Sequence, residues 1–552
     1  MANRAPETEL ETHRVANQPP EFADVNLYTM DAALREAVVR EGAGWMADAL
    51  TAFGARTGSA QVADWARRAN RQTPELCAFD RFGQRIDEVD YHPAYHWLMD
   101  LGIRHGVSSV AWTAESGGHV AHSALLFLMA QAEAGVCCPM SMTYACVPPL
   151  RHAPALADVW IPRVTAARYD PASVPAWEKT GATIGMAMTE KQGGSDVRAN
   201  STEARPLGGD AYELAGHKWF CSAPMSDAFL TLAQAPDAGL TCFLVPRWRP
   251  DGTRNAIRLM RLKDKLGDRA NASSEIEYHG AWAQMVGEPG RGVRTIIEMV
   301  QHTRLDCTVA PAALMRQALA NAVWHARHRT AFQRHLIDQP LMQTLLADLA
   351  VESDAATALA FRVARAFDGH AAGDDHETHL SRLVTPVAKY WLNKRLPGLV
   401  YEAMEAHGGS GYVEDSVMPR IYRQAPLNSI WEGAGNVICL DVLRALHKTP
   451  AAGEALMAEL AHAKGANARL DRAIAGLGDR LARKDVPEGQ ARHVTEQMAL
   501  ALQGALLVRH APHAVADAFC AARLGGDGGL AFGTLPDGAD TRAILARAQP
   551  AV

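Results

Sequence analysis

A disulfide framework is the first thing this sequence lacks. Its cysteines number nine in 552 residues. The count is odd, Cys137 and Cys138 are adjacent and there is no C-x-x-C pair, so neither a stapled secreted scaffold nor a zinc-finger ligand set is encoded. A surplus of positive charge is missing too. Lys plus Arg amount to 55 against 61 Asp plus Glu, a net charge of −6 with a pI near 6.4, so a polyanion site has to be a local patch. No window approaches the roughly 20 uncharged apolar residues that span a bilayer, and the opening MANRAPETELETHRVANQPP has no apolar signal-peptide core. These absences lead to the expectation of a cytoplasmic protein with reduced thiols and no membrane partner. Internal repeats and low-complexity tracts are absent as well. What is present is the composition of a folded protein, 48% hydrophobic and 21% charged. At 59.6 kDa the chain is long enough for about three to five compact units.

Periodicity divides the chain. Residues 1–40 read as an N-terminal arm, a polar stretch followed by NQPPEFADVNLY, where Pro19 and Pro20 forbid an earlier helix start. From Asp31 to about Trp177 apolar residues recur three and four apart, as in LREAVVREGAGWMADALTAF and HVAHSALLFLMAQAEAG, and predict an all-α domain, placed at residues 41–180. Over 181–292, short β-branched and aromatic runs such as AYELAGHKWFCS and GLTCFLVPRW are broken by Gly, Pro, Asp and Asn, the pattern of consecutive antiparallel strands. Helical spacing returns over 293–448 in four long segments, which predicts an antiparallel four-helix bundle. Residues 449–552 are Ala-rich and predict a further helical domain running to about Arg523, with GGDGG as a loop near its end. The expected fold class is therefore α+β, mainly α: an N-terminal helical domain, a middle antiparallel β-domain, a four-helix bundle and an extra C-terminal helical domain. Charge divides unevenly over these parts. From Ala445 to Val552 there are 12 Lys plus Arg and 11 Asp plus Glu, leaving +1 there and −7 elsewhere.

Several segments carry candidate chemistry. His407-Gly408-Gly409-Ser410-Gly411-Tyr412 has the look of a phosphate loop, but a helix precedes it where a dinucleotide fingerprint needs a strand. A helix C-cap with Gly at a left-handed position explains it equally well. His325, His328 and His335 are interleaved with Arg327, Arg329 and Arg334, whose charges oppose a bound cation; a basic helix face is expected and no metal site. Met188-Thr189-Glu190-Lys191-Gln192-Gly193-Gly194-Ser195-Asp196 leaves a strand and enters a turn, where successive N–H groups form an anion nest and hydroxyls face a ligand, unless it is a plain polar hairpin. In Gly216-His217-Lys218-Trp219-Phe220-Cys221-Ser222, large aromatic and small polar residues alternate, offering either a stacking platform or core packing. Glu432, within Asn428-Ser429-Ile430-Trp431-Glu432-Gly433-Ala434-Gly435-Asn436, sits in an apolar, Gly-rich setting just before a helix for which Asn436 is the expected N-cap. There a raised carboxyl pKa suits proton abstraction; a capping or salt-bridging Glu is the alternative.

Taken in order, TEKQGGSD, GHKWFCS, RTAF, EAHGGSGY and IWEGAGN, spread over helices, strands and a bundle, resemble the acyl-CoA dehydrogenase family across residues from about 90 to 448. NQPP…NLY…REGAGW, TEKQGGSDV, NSIWEG and the extra C-terminal domain are similar to its adaptive-response AidB branch, associated with defence against DNA alkylation. The resemblance implies an FAD site. Thr189 and Ser195 match the positions that bond the flavin ring and pyrophosphate region. Phe220, Cys221 and Ser222 match the strand beside the isoalloxazine, where relatives commonly carry Trp and Thr at the Phe220 and Ser222 positions. Arg329 and Phe332 match an R-x-x-F-G element that reaches the FAD of a neighbouring subunit, with Gln333 replacing the Gly. Gly408, Gly409 and Gly411 match the loop over the adenine-side phosphates, and Glu405 stands where many relatives have Gln. Met188, Gly194, Ile430, Trp431, Gly433, Gly435 and Asn436 complete the implied cofactor-binding set. Glu432 matches the catalytic base that takes the α-proton while hydride passes to flavin, and Ala434 replaces a common Thr.

An acyl-CoA-like small molecule and a homotetramer built as a dimer of dimers are the implied partners. The alternative is a DNA-binding protective flavoprotein with weak dehydrogenase activity. For it, Arg469, Arg472, Arg480 and Arg483 form a helical stripe, interrupted by Gly476 and Gly478, that is a candidate double-stranded DNA contact; a solvated helix face is the competing reading.

Overall fold

The computed structural model describes residues 6–483 and 486–549. Parts of the expected arm and C-terminal domain, residues 1–5, 484–485 and 550–552, lie outside the described residues. The arm is exposed coil up to the residues that meet the bundle, where Phe22 packs on Trp324 at 5.5 Å and the Trp324 indole N–H donates to Pro20 O at 2.8 Å. Helical structure begins after Asp31, where the spacing predicts it. Helix α1 (Ala32–Arg40) already buries Leu34, Ala37 and Val38, and Asp31 caps it by accepting from Leu34 N.

Eight further helices follow in the first domain: α2 (Ala47–Thr57), α3 (Ala60–Arg71), α4 (Pro93–Arg104), α5 (Val110–Thr113), α6 (Gly118–Ala132), α7 (Cys137–Ala145), α8 (Val147–Leu150) and α9 (Pro154–Val164). The domain is not all-α. Strands β1 (Glu75–Phe79) and β2 (Arg85–Asp90) form an antiparallel hairpin. Asp80 organises its turn, with Oδ1 accepting from the N–H groups of Phe82 and Gln84, each at 2.8 Å. Gly83 supplies φ +82°, so the side chain mimics a backbone turn. The hairpin docks on the middle domain, where Asp87 accepts from Leu259 N at 2.8 Å and pairs with Arg258.

The middle domain holds β3 (Ile184–Ala187), β4 (Glu203–Gly208), β5 (Ala211–Ser222), β6 (Ala228–Ala235), β7 (Gly239–Pro246), β8 (Ile257–Leu262) and β9 (Ser273–Val286). Their order is β3-β6-β4-β5-β9-β7, with β8 on β9, and a β6–β7 pairing closes the sheet on itself. Consecutive hairpins were expected; β3 and β4 instead meet β6 in parallel. Two consecutive ends of β5 frame the site. A bulge between Lys218 and Cys221 puts Trp219 and Phe220 outside the ladder, and the extra residue re-aims side chains there.

The bundle consists of α10 (Gly292–His328), α11 (Pro340–Ala371), α12 (Asp375–Glu405) and, after the short α13 (Gly409–Tyr412) and α14 (Met418–Gln424), α15 (Gly435–Lys448). Beyond it come α16 (Pro450–Ala461), α17 (Ala468–Ala482), α18 (Ala491–His510), α19 (His513–Phe519) and α20 (Thr541–Ala548). The last of these lies past the Gly-rich loop that was expected near the end of the helical part. Buried ion pairs join this domain to the bundle: Arg362 bridges Glu377 and Glu459, and Arg523 pairs with Asp348 and Glu352. No helix among the described residues is long and apolar enough to cross a membrane.

Candidate active site

Glu432 is carried by a loop that reverses direction between α14 and α15. Its backbone has φ +56° and Gly433 follows at φ +103°; left-handed backbone costs a residue with a Cβ roughly 1–2 kcal/mol, so the surroundings must hold it. They do so from three elements. Thr303 of α10 donates its hydroxyl to Glu432 Oε2 at 2.8 Å. Arg304, the next residue, donates Nε–H to Glu432 O at 3.1 Å and NH1–H to Asp441 of α15 at 2.9 Å. Lys389 of α12 donates to Asn428 O at 3.0 Å and Gly433 O at 2.8 Å. Within the loop, the Trp431 indole donates to Asn428 Oδ1 at 2.6 Å. Burial pushes the Glu432 carboxyl above the usual carboxylate range, with Thr303, Arg304 and Lys389 pulling the other way. None of Thr303, Arg304 or Lys389 was expected from the sequence. The signal available was a charged residue inside an apolar helical stretch, where burial demands a partner.

The β-domain supplies the opposite wall. Glu190, of the TEKQGGSD turn, is fully buried and accepts from Ser201 N and Oγ, Thr202 N and Oγ1, and Lys218 Nζ. Burial alone would raise its pKa; Lys218 and Thr202 outweigh burial and lower it. This anchor fixes the turn. A Cβ on Gly194 would run into the Thr189 hydroxyl, and Trp219 N donates to Thr189 O at 2.8 Å. Met188 and Trp431 pack on one apolar cluster, which includes Cys138, Met142, Ile184 and Met299, so the turn and the Glu432 loop converge. Phe220 is 48% and Ile430 63% exposed, while Ser195 is exposed and Ser222 half-buried. Ser222 Oγ lies 3.1 Å from Ser273 Oγ. Cys221 departs from the expectation, since its side chain is fully buried in the barrel core and only its backbone is left to meet a ligand. Asn436 is not the N-cap of α15: Ala434 occupies that position without a side-chain hydrogen bond, and Asn436 is exposed in the first turn.

The remaining expected cofactor residues lie at the other pole of the bundle. Arg329 and Phe332 follow the C-terminal end of α10, 26 residues beyond Thr303, about 39 Å at 1.5 Å per residue. There β10 (Thr330–Ala331) and β11 (Arg334–His335) form a tight hairpin whose tip, Phe332 and Gln333, has φ +50° and +64°. That is the twist a two-residue hairpin requires, and it leaves Phe332 93% exposed. Arg329 donates to Asn17 O at 2.5 Å, and Thr330 N donates to Asn17 Oδ1 at 2.7 Å. Gly408 and Gly409 border the same pole, reached through His407, whose ring lies 4.6 Å from that of His325. Gly408 has φ +61° and its N–H closes a turn on Glu405 O at 2.8 Å, so the segment ends α12 as a capping turn while keeping open space around both glycines. The three histidines do not share a basic helix face: His325 is buried, His328 packs on Trp324 and His335 is on β11.

Arg304, which holds the Glu432 carbonyl, also lines a cleft of about 890 Å³ between the β-domain, the first turns of α10 and α15, together with Arg198, Arg291, Arg294, Arg382 and Arg444; Asp441 pairs with three of these, Arg304, Arg382 and Arg444. Six arginines around one cleft suit a ligand with a strongly anionic arm.

Comparison with known proteins agrees with this layout. Residues 17–171 match the adaptive response protein AidB N-terminal domain, 185–281 the acyl-CoA dehydrogenase middle domain and 290–447 the acyl-CoA dehydrogenase C-terminal domain. The chain is 46% identical to the "Putative acyl-CoA dehydrogenase AidB" of Escherichia coli, over 94% of this chain and 96% of that protein. It is 32% identical to acyl-CoA dehydrogenase family member 11 of Caenorhabditis elegans, over 87% and 83% of the two chains. The solved C. elegans ACDH-11, in complex with C11-CoA, superposes with a TM-score of 0.83 at 28% identity, covering 100% of this chain and 95% of that one. A two-wall cleft between a β-barrel and a helical bundle, with the AidB-type N-terminal domain packed beside it, places this chain in the acyl-CoA dehydrogenase family, among its AidB-like members.

Proposed function

We propose that the chain is an FAD-dependent oxidoreductase acting on the Cα–Cβ bond of an acyl-CoA, with Glu432 as the base. The observation that carries this reading is a carboxyl held above its ordinary pKa by burial, in a left-handed loop whose carbonyl is held by Arg304, one of the arginines of the cleft. Members of the family are FAD-dependent, and the residues present fit that group. Thr189 and Ser222 offer hydroxyls, Gly194 admits close approach to the turn, and Phe220 offers an exposed ring on a bulge. When bound, FAD supplies the acceptor for the hydride that leaves the β-carbon.

Glu432 takes the α-proton, and the electron pair of the broken Cα–H bond becomes the new Cα=Cβ bond. Thr303 orients the carboxylate. The cleft arginines hold the phosphates of the CoA arm and so place the thioester end against Glu432; the C11-CoA carried by the ACDH-11 structure supports a ligand of this class. Because the Arg329–Gly408 pole and the Glu432 pole of one chain stand about 39 Å apart along α10, both cannot serve one flavin. Each FAD is shared between two subunits, in a homotetramer built as a dimer of dimers. Anaerobic addition of an acyl-CoA series to the purified flavoprotein is expected to bleach the flavin band for at least one chain length, and Glu432→Gln to abolish the bleaching. Full bleaching in E432Q, or none in the native protein with any chain length, overturns the assignment.

A second reading, association with double-stranded DNA, is favoured by the α17 stripe. The helix runs unbroken through Gly476 and Gly478, and Arg472 and Arg483 are exposed with no ion pair among the described residues, Arg480 being half-buried. Arg469 is less available, since it pairs with Asp527 at 2.9 Å. Replacing Arg472, Arg480 and Arg483 with Ala is expected to weaken duplex binding and flatten its salt dependence by up to about three phosphate contacts. Unchanged affinity and slope would remove the stripe as the site.

A further inference from the structure

Lys389 is 1% exposed on an otherwise apolar stretch of α12, and it forms no ion pair with any described residue. An ammonium withdrawn from water without a carboxylate partner costs several kcal/mol, so its retention calls for a compensating role. Its donors go to two backbone oxygens that bracket the loop carrying the base, Asn428 O at 3.0 Å and Gly433 O at 2.8 Å. Between these two anchors the chain runs through the left-handed Glu432 and into Gly433 at φ +103°. Asn393, one turn further along α12, donates to Lys389 O and to Cys307 O, tying this part of α12 to α10 one turn beyond Thr303. Lys394 donates to Ser429 Oγ at 2.9 Å, so α12 grips the loop at a third point, from the solvent side.

We propose that Lys389 is a positioning residue for the reaction: it clamps the Asn428–Gly433 loop at both ends and holds Glu432 in the conformation that presents its carboxyl to Thr303. The inference rests on the reading of Glu432 as the base. Its charge acts in the same direction as its hydrogen bonds. The charged or titratable groups facing Lys389 are Cys307 and Arg304 of α10, Glu432 of the loop and Lys394 of its own helix. Glu432 is the only carboxylate in that set. A positive charge here favours ionised Glu432 and opposes the effect of burial, whereas burial and the neighbouring cations push Lys389 itself down to about 8.

Two measurements on the FAD-loaded, full-length protein test this. In Lys389→Met, the acid limb of the pH profile for anaerobic flavin reduction by an acyl-CoA is expected to move upward by about one unit, a tenfold change in the ionised fraction of the base. Independently of activity, amide hydrogen exchange over 428–434 is expected to speed up about tenfold or more, while the β-domain is unchanged, because a local opening has been made easier. Lys389→Arg keeps the charge with a longer, planar head; it is expected to keep the acid limb within about half a unit and to loosen the loop. If K389M does not fold, the arginine variant decides alone: a displaced limb, or loop exchange equal to that of the native protein, overturns the proposal. In K389M, an unmoved limb with unmoved loop exchange overturns it as well. E432Q separates the two levels, since bleaching retained there removes the base assignment itself, whereas bleaching lost there with K389M unaltered removes only the role of Lys389.

Discussion

The hydroxyl of Thr303 donates to Glu432 Oε2 at 2.8 Å across 129 positions of sequence. Nothing local connects the two. A β-branched residue in a long bundle helix and a carboxylate in a Gly-rich loop become one hydrogen-bonded pair because α10 and the loop before α15 pack together.

Thr303→Val keeps the shape and removes the donor. Hydrogen bonding to the ionised carboxylate favours that form, so its loss raises a carboxyl that burial already holds high. The acid limb of flavin reduction is expected to move upward by about one unit, with the rate recovering at high pH. A stopped-flow pH series on loaded protein checks this.

Glu432→Gln bears on stability as well as activity. The folded pKa of Glu432 is raised, so its contribution to stability is present below the unfolded value of about 4.3 and is lost as pH rises through the folded one. The glutamine variant is therefore expected to melt higher than the native protein at pH 8, with the difference vanishing toward pH 4. Calorimetry at both values measures it. A native protein equally stable relative to the variant at both pH values contradicts the buried-carboxyl picture.

Lys218→Met tests the anchor of the TEKQGGSD turn. Breaking a buried ion pair by removing one partner leaves the other charge uncompensated, a loss of about 3–5 kcal/mol. Glu190 is depressed in the folded state, so the native pair is intact at neutral pH and its stabilisation is lost only as the pH falls below the ordinary carboxylate range. Chemical denaturation at pH 7 should show the deficit, accompanied by weaker FAD retention because the TEKQGGSD turn loses its support.

Mixing subunits tests the two-pole arrangement. Arg329→Ala and Glu432→Gln damage opposite poles, so a hybrid of the two retains one site with Arg329 from one subunit and Glu432 from the other. Random co-assembly is expected to restore about a quarter of native bleaching from two inactive parents. Light scattering on the same samples should give a tetramer, and a flavin-loaded monomer would contradict the shared site.

Much of the fold was legible. The four bundle helices fall within a few residues of the segments marked by helical spacing, because an apolar stripe in a long helix persists over many turns. The β1–β2 hairpin was missed although its signal was there: Asp80 and Gly83 spell a turn, but the helical spacing on both sides masked a strand pair so short. The helix α20 was missed because it holds only eight residues after its capping Asp540, too few for a period to stand out. Of the candidate site, the Gly-rich setting of Glu432 and the tight turn at Gly194 were legible from local chemistry. Thr303, Arg304 and Lys389 were not, since an isolated polar residue in an apolar helix says that a partner exists without saying which.

The sequence by itself determined most of the elements, the Gly-rich loop that carries Glu432 and the hydroxyl-bearing turn from Thr189 to Ser195, because turn chemistry and side-chain periodicity act over a few residues. Tertiary structure alone decided the electrostatic state of the carboxyl and the division of the proposed cofactor residues between two poles. A pKa depends on desolvation and on charges through space, here from α10, α12 and the loop before α15, and the separation of the poles depends on the length of a helix that runs from one to the other.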